Sequence, residues 1–202
     1  MLKFSCVAAR KMTYTLDLKA FTDTISDRAL EQLCRENPDL RFETDANGKL
    51  IIMSPTGSQS GKFNMSLAFQ VELWNRQSKA GVVFDSSTGF KLSNGATRSL
   101  DVSWIAVERW NSLSDKQKRG FAPIDPDFVI KLMSPADDLS TTQQKMNEYM
   151  NCGVKLGWLI NPDAKEVEIY RLDNDKETLN NPSSLSGEDI LPGLTVDLSD
   201  IL

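Results

Sequence analysis

One predicted strand carries an aspartate, Asp101 in Leu100-Asp101-Val102-Ser103-Trp104-Ile105. A second, Asp127-Phe128-Val129-Ile130-Lys131-Leu132-Met133, follows it, and then a predicted helix bearing Lys145. A carboxylate on one strand with charged groups on its neighbour is how a small α/β domain builds a magnesium site for phosphodiester cleavage. Side chains alternate faces along a strand, so Asp127, Val129, Lys131 and Met133 share one face and Phe128, Ile130 and Leu132 the other. Asp101 lies beside Val102, Trp104 and Ile105 on a strand expected to be largely buried, where an unpaired carboxylate costs roughly several kcal/mol. It therefore needs a partner: a metal, Lys131 or Lys145. Lys145 alone would be an exposed helix lysine, able to pair with Glu148 three residues later for roughly a few tenths of a kcal/mol. Its place after the strand pair singles it out.

The absence of histidine removes more mechanisms than any motif adds. Ser-His-Asp triads, Cys-His dyads, histidine-ligated zinc and histidine general bases are all excluded, leaving carboxylates, lysines and a hard, oxygen-seeking cation. Cys6, Cys34 and Cys152 form no close pair, which fits a reducing cytoplasm better than a disulfide framework or zinc site. The net charge of −5 argues against a domain built only to bind DNA. It is compatible with a nuclease, whose clustered carboxylates are offset by bound cations.

At 202 residues, 40% hydrophobic and 25% charged, the chain suits one packed domain over residues 16–202. Residues 1–15 read as a loose extension too short and too charged for a secretory signal, with Met12 an alternative start. No apolar run is long enough to span a membrane.

The elements that must position the charged residues follow from periodicity and turn chemistry. Ser26 and Asp27 open a helix running to about Asn37, before Pro38. A hairpin joins Leu40-Arg41-Phe42-Glu43 to Leu50-Ile51-Ile52-Met53 through Asp45-Ala46-Asn47-Gly48, placing Glu43 on a strand. Phe63, Leu67, Val71 and Trp74 predict a helix from about Lys62 to Lys79, stopped by Gly81. Strands at 82–84 and 88–92, a turn at Asn94-Gly95 and a short helix over 110–119 come next. The helix bearing Lys145 is expected to start at Ser140, capped with Gln143, and to end at Gly153 with Leu139, Met146, Tyr149 and Met150 inward. A hairpin over 157–170 and an edge strand near 194–196 complete a chain of mixed α/β or α+β class with a largely antiparallel sheet.

Gly57-Ser58-Gln59-Ser60-Gly61-Lys62-Phe63 falls short of a phosphate-binding loop, with three residues between the glycines and no hydroxyl after the lysine. It reads as a loop entering a helix. Trp74, Trp104, Trp110 and Trp158 stand among apolar residues and suit a core better than base stacking.

Several segments together resemble the Uma-type restriction endonucleases, a family abundant in cyanobacteria within the PD-(D/E)XK nuclease superfamily. They are residues 50–57, Phe84-Asp85-Ser86-Ser87-Thr88-Gly89-Phe90, Asp101-Val102-Ser103-Trp104, Pro126-Asp127-Phe128-Val129-Ile130, Met133-Ser134-Pro135 and Gly157-Trp158-Leu159-Ile160. The likeness runs from about Leu16 to the C-terminus. It implies a restriction-endonuclease-like core, a central mixed sheet flanked by helices, and Mg²⁺-dependent cleavage of DNA. On the family's pattern Asp101 and Glu43 match metal ligands, and Lys145 matches a helix lysine replacing the usual strand lysine, for which Met133 stands. Leu100 stands in place of the usual proline, and Asn161 in place of a common aspartate. Lys131 stands where relatives carry a glutamate, removing a ligand and placing an ammonium beside the cation.

The expected chemistry is metal-assisted hydrolysis, with Asp101 and Glu43 on Mg²⁺ and Lys145 positioning water, and with catalysis impaired by Lys131. The rivals are an inactive nuclease-fold module that binds DNA or protein, and an assembly domain with no nucleic-acid role. Cutting both strands of a duplex with one site per chain would favour a homodimer.

Overall fold

The computed structural model describes residues 13–18, 25–53 and 55–202. In chain order its elements are β1 (Thr13–Leu16), α1 (Asp27–Glu36), β2 (Arg41–Thr44), β3 (Leu50–Met53), α2 (Ser58–Ser78), β4 (Gly81–Asp85), β5 (Gly89–Lys91), β6 (Thr97–Ser99) and β7 (Val102–Ala106). Then follow α3 (Val107–Asn111), α4 (Asp115–Arg119), β8 (Phe128–Leu132), α5 (Leu139–Asn151), β9 (Leu156–Asn161), β10 (Glu166–Arg171), β11 (Glu177–Asn180), β12 (Ser184–Ser186) and β13 (Thr195–Asp197).

Among these residues the strands form a five-stranded sheet in the order β1-β3-β2-β6-β5 and a six-stranded sheet in the order β11-β10-β9-β8-β7-β4. All named pairs are antiparallel except β8 with β9, so the class is mixed α/β with a largely antiparallel arrangement. Parallel neighbours need a long crossover, and α5 supplies it.

The alternation read from the sequence holds on β8, and β7 alternates in the same way. Val102, Trp104, Phe128, Ile130 and Leu132 face α2, where Phe63, Leu67 and Val71 cover them. Ile105, Val129, Met133 and Leu159 face α5, packing on Met146 and Tyr149. Gly157 lets α5 lie close, because a Cβ there would stand 2.7 Å from Met146 Cε and 3.0 Å from Met150 Cε. Trp104 and Trp158 are buried, and Trp74 and Trp110 pack at the margins of the two cores, as expected of core residues.

Several local expectations are revised. Helix α2 begins at Ser58 and runs through Gly61, since a 21-residue helix with a buried face outweighs the roughly 1 kcal/mol cost of one internal glycine. It stops at Lys79, whose φ of 53° closes the last turn, and Gly81 opens β4 instead. The cap of α5 is Asp138, accepting from the Thr141 amide at 2.8 Å, which puts Ser140 inside the helix. Leu139 is exposed, and Thr142 takes the inward position. Residues 110–119 split between α3 and α4, the latter with its own Ser114 and Gln117 capping box. Strand β13 pairs with β12 in a small separate sheet, away from the edge of the main one. Residues 13–16 pair with β3 as a strand, while residues 1–12, with Cys6 and Met12, lie outside the described residues. Among the described residues no helix is long and apolar enough to cross a membrane.

Candidate functional site

The four residues singled out by sequence converge where the two sheets meet. The chain leaves the five-stranded sheet at Ser99, turns at Leu100 and Asp101, and enters the six-stranded sheet at Val102. Asp101 therefore sits at the seam. Glu43 comes from the middle of the first sheet, Lys131 from the centre of the second, and Lys145 from α5, which covers the second sheet.

Lys131 Nζ lies 2.8 Å from Asp101 Oδ2 and 3.7 Å from Asp137 Oδ2, and it also donates to the Leu132 carbonyl at 2.8 Å. The same Oδ2 accepts the Leu132 amide at 2.8 Å, while Asn64 Nδ2 of α2 reaches Oδ1 at 3.4 Å. The Lys131 and Asp101 side chains are only 16% and 14% exposed. Glu43 is more deeply enclosed. Its Oε2 accepts from Lys145 Nζ at 2.9 Å and Arg98 Nη1 at 3.1 Å, and its Oε1 from the Ser99 amide at 3.1 Å. Arg98 continues the network to Glu148 at 2.7 Å, and Asn94 also donates to Glu148.

Burial works against charge throughout this cluster, and the opposite charges win. Burial raises the Glu43 carboxyl, but Lys145 and Arg98 together bring it below the ordinary carboxylate range. Burial lowers Lys131, but Asp101 and then Asp137 lift its ammonium above the usual lysine value. Tyr149, walled in beside Glu43, is pushed well up by burial and then by that carboxylate, so its phenol stays protonated.

These groups open onto a cleft of about 320 Å³ whose lining also includes Arg41, Thr56, Asp137 and Thr141. Magnesium requires near-octahedral oxygen ligation at roughly 2.0–2.1 Å. Asp101 Oδ2 and Glu43 Oε2 each already accept two donors, which fills the lone pairs of both oxygens. Lys131 moreover places a positive charge against Asp101, the carboxylate a cation would need. Among the described residues no three acidic, cysteine or histidine side chains gather closely enough to hold a metal ion. The residues present do not fit Mg²⁺.

Other partners escaped the sequence reading. Lys145 does not pair with Glu148; it reaches across to Glu43, and Glu148 turns to Arg98. Arg98 stands between Thr97 and Ser99 on β6, a strand the sequence reading does not expect between the Asn94-Gly95 turn and Asp101, and no motif marks it. Asp137 and Asn64 also carried no local signal. Asp127, which shares the Lys131 face, stands at the far end of β8. There Lys155 at 2.8 Å, Arg109 at 2.9 Å and the Ala106 amide hold it, separate from the cleft.

The Uma2 family model, described as "Putative restriction endonuclease", matches residues 27–199. No curated protein matches the sequence. A crystal structure of a "putative nuclease belonging to DUF820" from Anabaena variabilis ATCC 29413 superposes with a TM-score of 0.66 at 17% identity, covering 79% of this chain and 88% of that one. At that identity the likeness concerns the fold.

Proposed function

The chain belongs to the Uma2 restriction-endonuclease family, and from that premise we propose that it is a DNA-directed nuclease-fold protein whose Mg²⁺-dependent cleavage is impaired by Lys131. The carrying observation is the 2.8 Å contact between Lys131 Nζ and Asp101 Oδ2, with the ammonium where a metal would be attracted. Glu43 adds support, since its three donors leave it one open lone pair. Lys145, expected to position water, is held on Glu43 at 2.9 Å and faces the cleft with Arg41 and Lys131. Lys131 and Lys145 are already paired with Asp101 and Glu43, in a cleft that Asp137 and Asp138 also line. Phosphate contact would therefore fall first to Arg41, whose guanidinium bonds uncharged Ser86. A cytoplasmic location belongs to the same reading and is supported by sparse, unpaired thiols at Cys34 and Cys152.

The test compares wild type, Lys131→Glu and Asp101→Ala by titration calorimetry with Mg²⁺ and Mn²⁺, by nicking of supercoiled plasmid, and by mobility shift on duplex DNA at low salt. The wild type should neither bind metal nor nick, and should shift DNA with an affinity that falls as salt rises. Lys131→Glu should bind metal. Nicking by wild type that is lost in Asp101→Ala would overturn the impairment. Absence of metal binding in Lys131→Glu would overturn the site assignment, and absence of any DNA shift would favour an assembly role.

A further inference from the structure

Helix α2 covers the six-stranded sheet with one face and leaves an apolar stripe on the other. Met65, Phe69 and Leu73 recur at every fourth residue and are 67%, 57% and 47% exposed. Side chains four apart stand above one another on a helix, so these three form one continuous ridge. Phe63, Leu67 and Val71 already supply the buried face, which leaves the ridge with no role in the core. An aligned apolar ridge of this kind marks an interaction surface.

We propose that this ridge is where a second copy of the chain docks, the two α2 helices packing antiparallel about a two-fold axis level with Leu67. The charges on the helix favour that register. Residues whose numbers are equidistant from 67 come level with one another, so Met65 meets the second copy's Phe69 and Lys62 comes level with the second copy's Glu72. Lys62 and Glu72 are placed to exchange ion pairs twice over, as two-fold symmetry requires, with Glu72 sharing or giving up its exposed pair with Arg76 at 2.8 Å. An axis level with Phe69 instead would set Lys62 against the second copy's Arg76, a like-charge contact. Leu73 comes level with Gly61, where a Cβ would have open space on all sides, so the helices are free to approach there. Antiparallel helices also oppose their dipoles favourably.

The same helix carries Asn64, which reaches Asp101 at 3.4 Å, so pairing through α2 joins two clefts in one assembly. Pairing through α2 does not depend on whether those clefts hold metal or cut DNA.

Sedimentation velocity over about 1–100 µM tests it, a range matched to a contact smaller than a standard obligate interface. Wild type should form dimers as concentration rises. Phe69→Glu should be monomeric throughout with unchanged circular dichroism, as an exposed substitution leaves the core intact; Met65→Gln with Leu73→Gln is the milder second variant. Lys62→Glu and Glu72→Lys should each weaken association about tenfold, because symmetry doubles the effect of one ion pair. Combining the two should restore it. A wild type that stays monomeric, including one whose ridge is covered by another part of its own chain, overturns the proposal. So does a dimer indifferent to Phe69→Glu, or a double charge swap that fails to restore pairing.

Discussion

Removing the Lys131 ammonium should expose how strongly the cleft depends on its internal ion pair. At 2.8 Å and an effective dielectric of ~20, the gross attraction between Lys131 and Asp101 is about 6 kcal/mol. Desolvation of two side chains that are 16% and 14% exposed offsets much of it, so the net coupling should fall near 1–3 kcal/mol, roughly. Lys131→Met leaves Asp101 with the Leu132 amide and Asn64 but no countercharge, and should cost about 3 kcal/mol. Asp101→Asn leaves the ammonium with the Leu132 carbonyl and the more distant Asp137, and should cost a similar amount, about 2–3 kcal/mol. The double variant should lose clearly less than the two singles together, because neither charge is then stranded. Urea unfolding of all four proteins in EDTA measures the cycle free of any metal. Strict additivity, or single variants within about 0.5 kcal/mol of wild type, would refute the claim that this pair holds the cleft together.

Lys131→Glu should go further, setting a new carboxylate beside Asp101 and Asp137. It should unfold at lower urea than Lys131→Met in EDTA and recover about 2–3 kcal/mol when Mg²⁺ is near a hundredfold above its Kd; equal midpoints with and without Mg²⁺ would contradict this. Arg98→Met leaves Glu43 with Lys145 as its countercharge and Glu148 with Asn94, and should cost about 3 kcal/mol, with Arg98→Lys rescuing little because one ammonium cannot span both carboxylates. Thermal melts of the two variants decide between them. Glu43 titrates below its ordinary value when folded, so its contribution is fully present above the unfolded carboxylate pKa of 4.5 and fades as pH falls through the lower folded value. The stability gap between wild type and Glu43→Gln should therefore be constant near neutrality and narrow below about pH 4.5; a gap that widens with acid would reverse the sign. Gly157→Ala should destabilise by about 1–3 kcal/mol, as its methyl would displace Met146 and Met150 beneath α5, and unchanged unfolding would argue against that close packing.

Most of what positions the cleft is written locally. Alternation in 127–133 put Lys131 on the α5 side, the Asp45–Gly48 turn set Glu43 on β2, and helical spacing in 63–74 found the buried face of α2. Residue spacing governs such features because neighbours in sequence share one backbone geometry. Local rules also erred where two residues could serve equally: Asp138 and Ser140 both suit a helix start, and the hydrogen bond to Thr141 chose Asp138. Partner choice lay further away. Sequence offers Lys145 either Glu148 on its own helix or the cluster around Asp101 and Glu43; the structure takes it to Glu43, 102 residues distant, and gives Glu148 to Arg98, 50 residues distant. A buried carboxylate takes whichever cation the packed sheets bring to it, since leaving it alone costs more than any surface pair returns. The sequence by itself determined which charged residues this protein must reconcile. Only the tertiary structure decided which of them neutralise one another, because that depends on the seam between two sheets whose strands lie far apart along the chain.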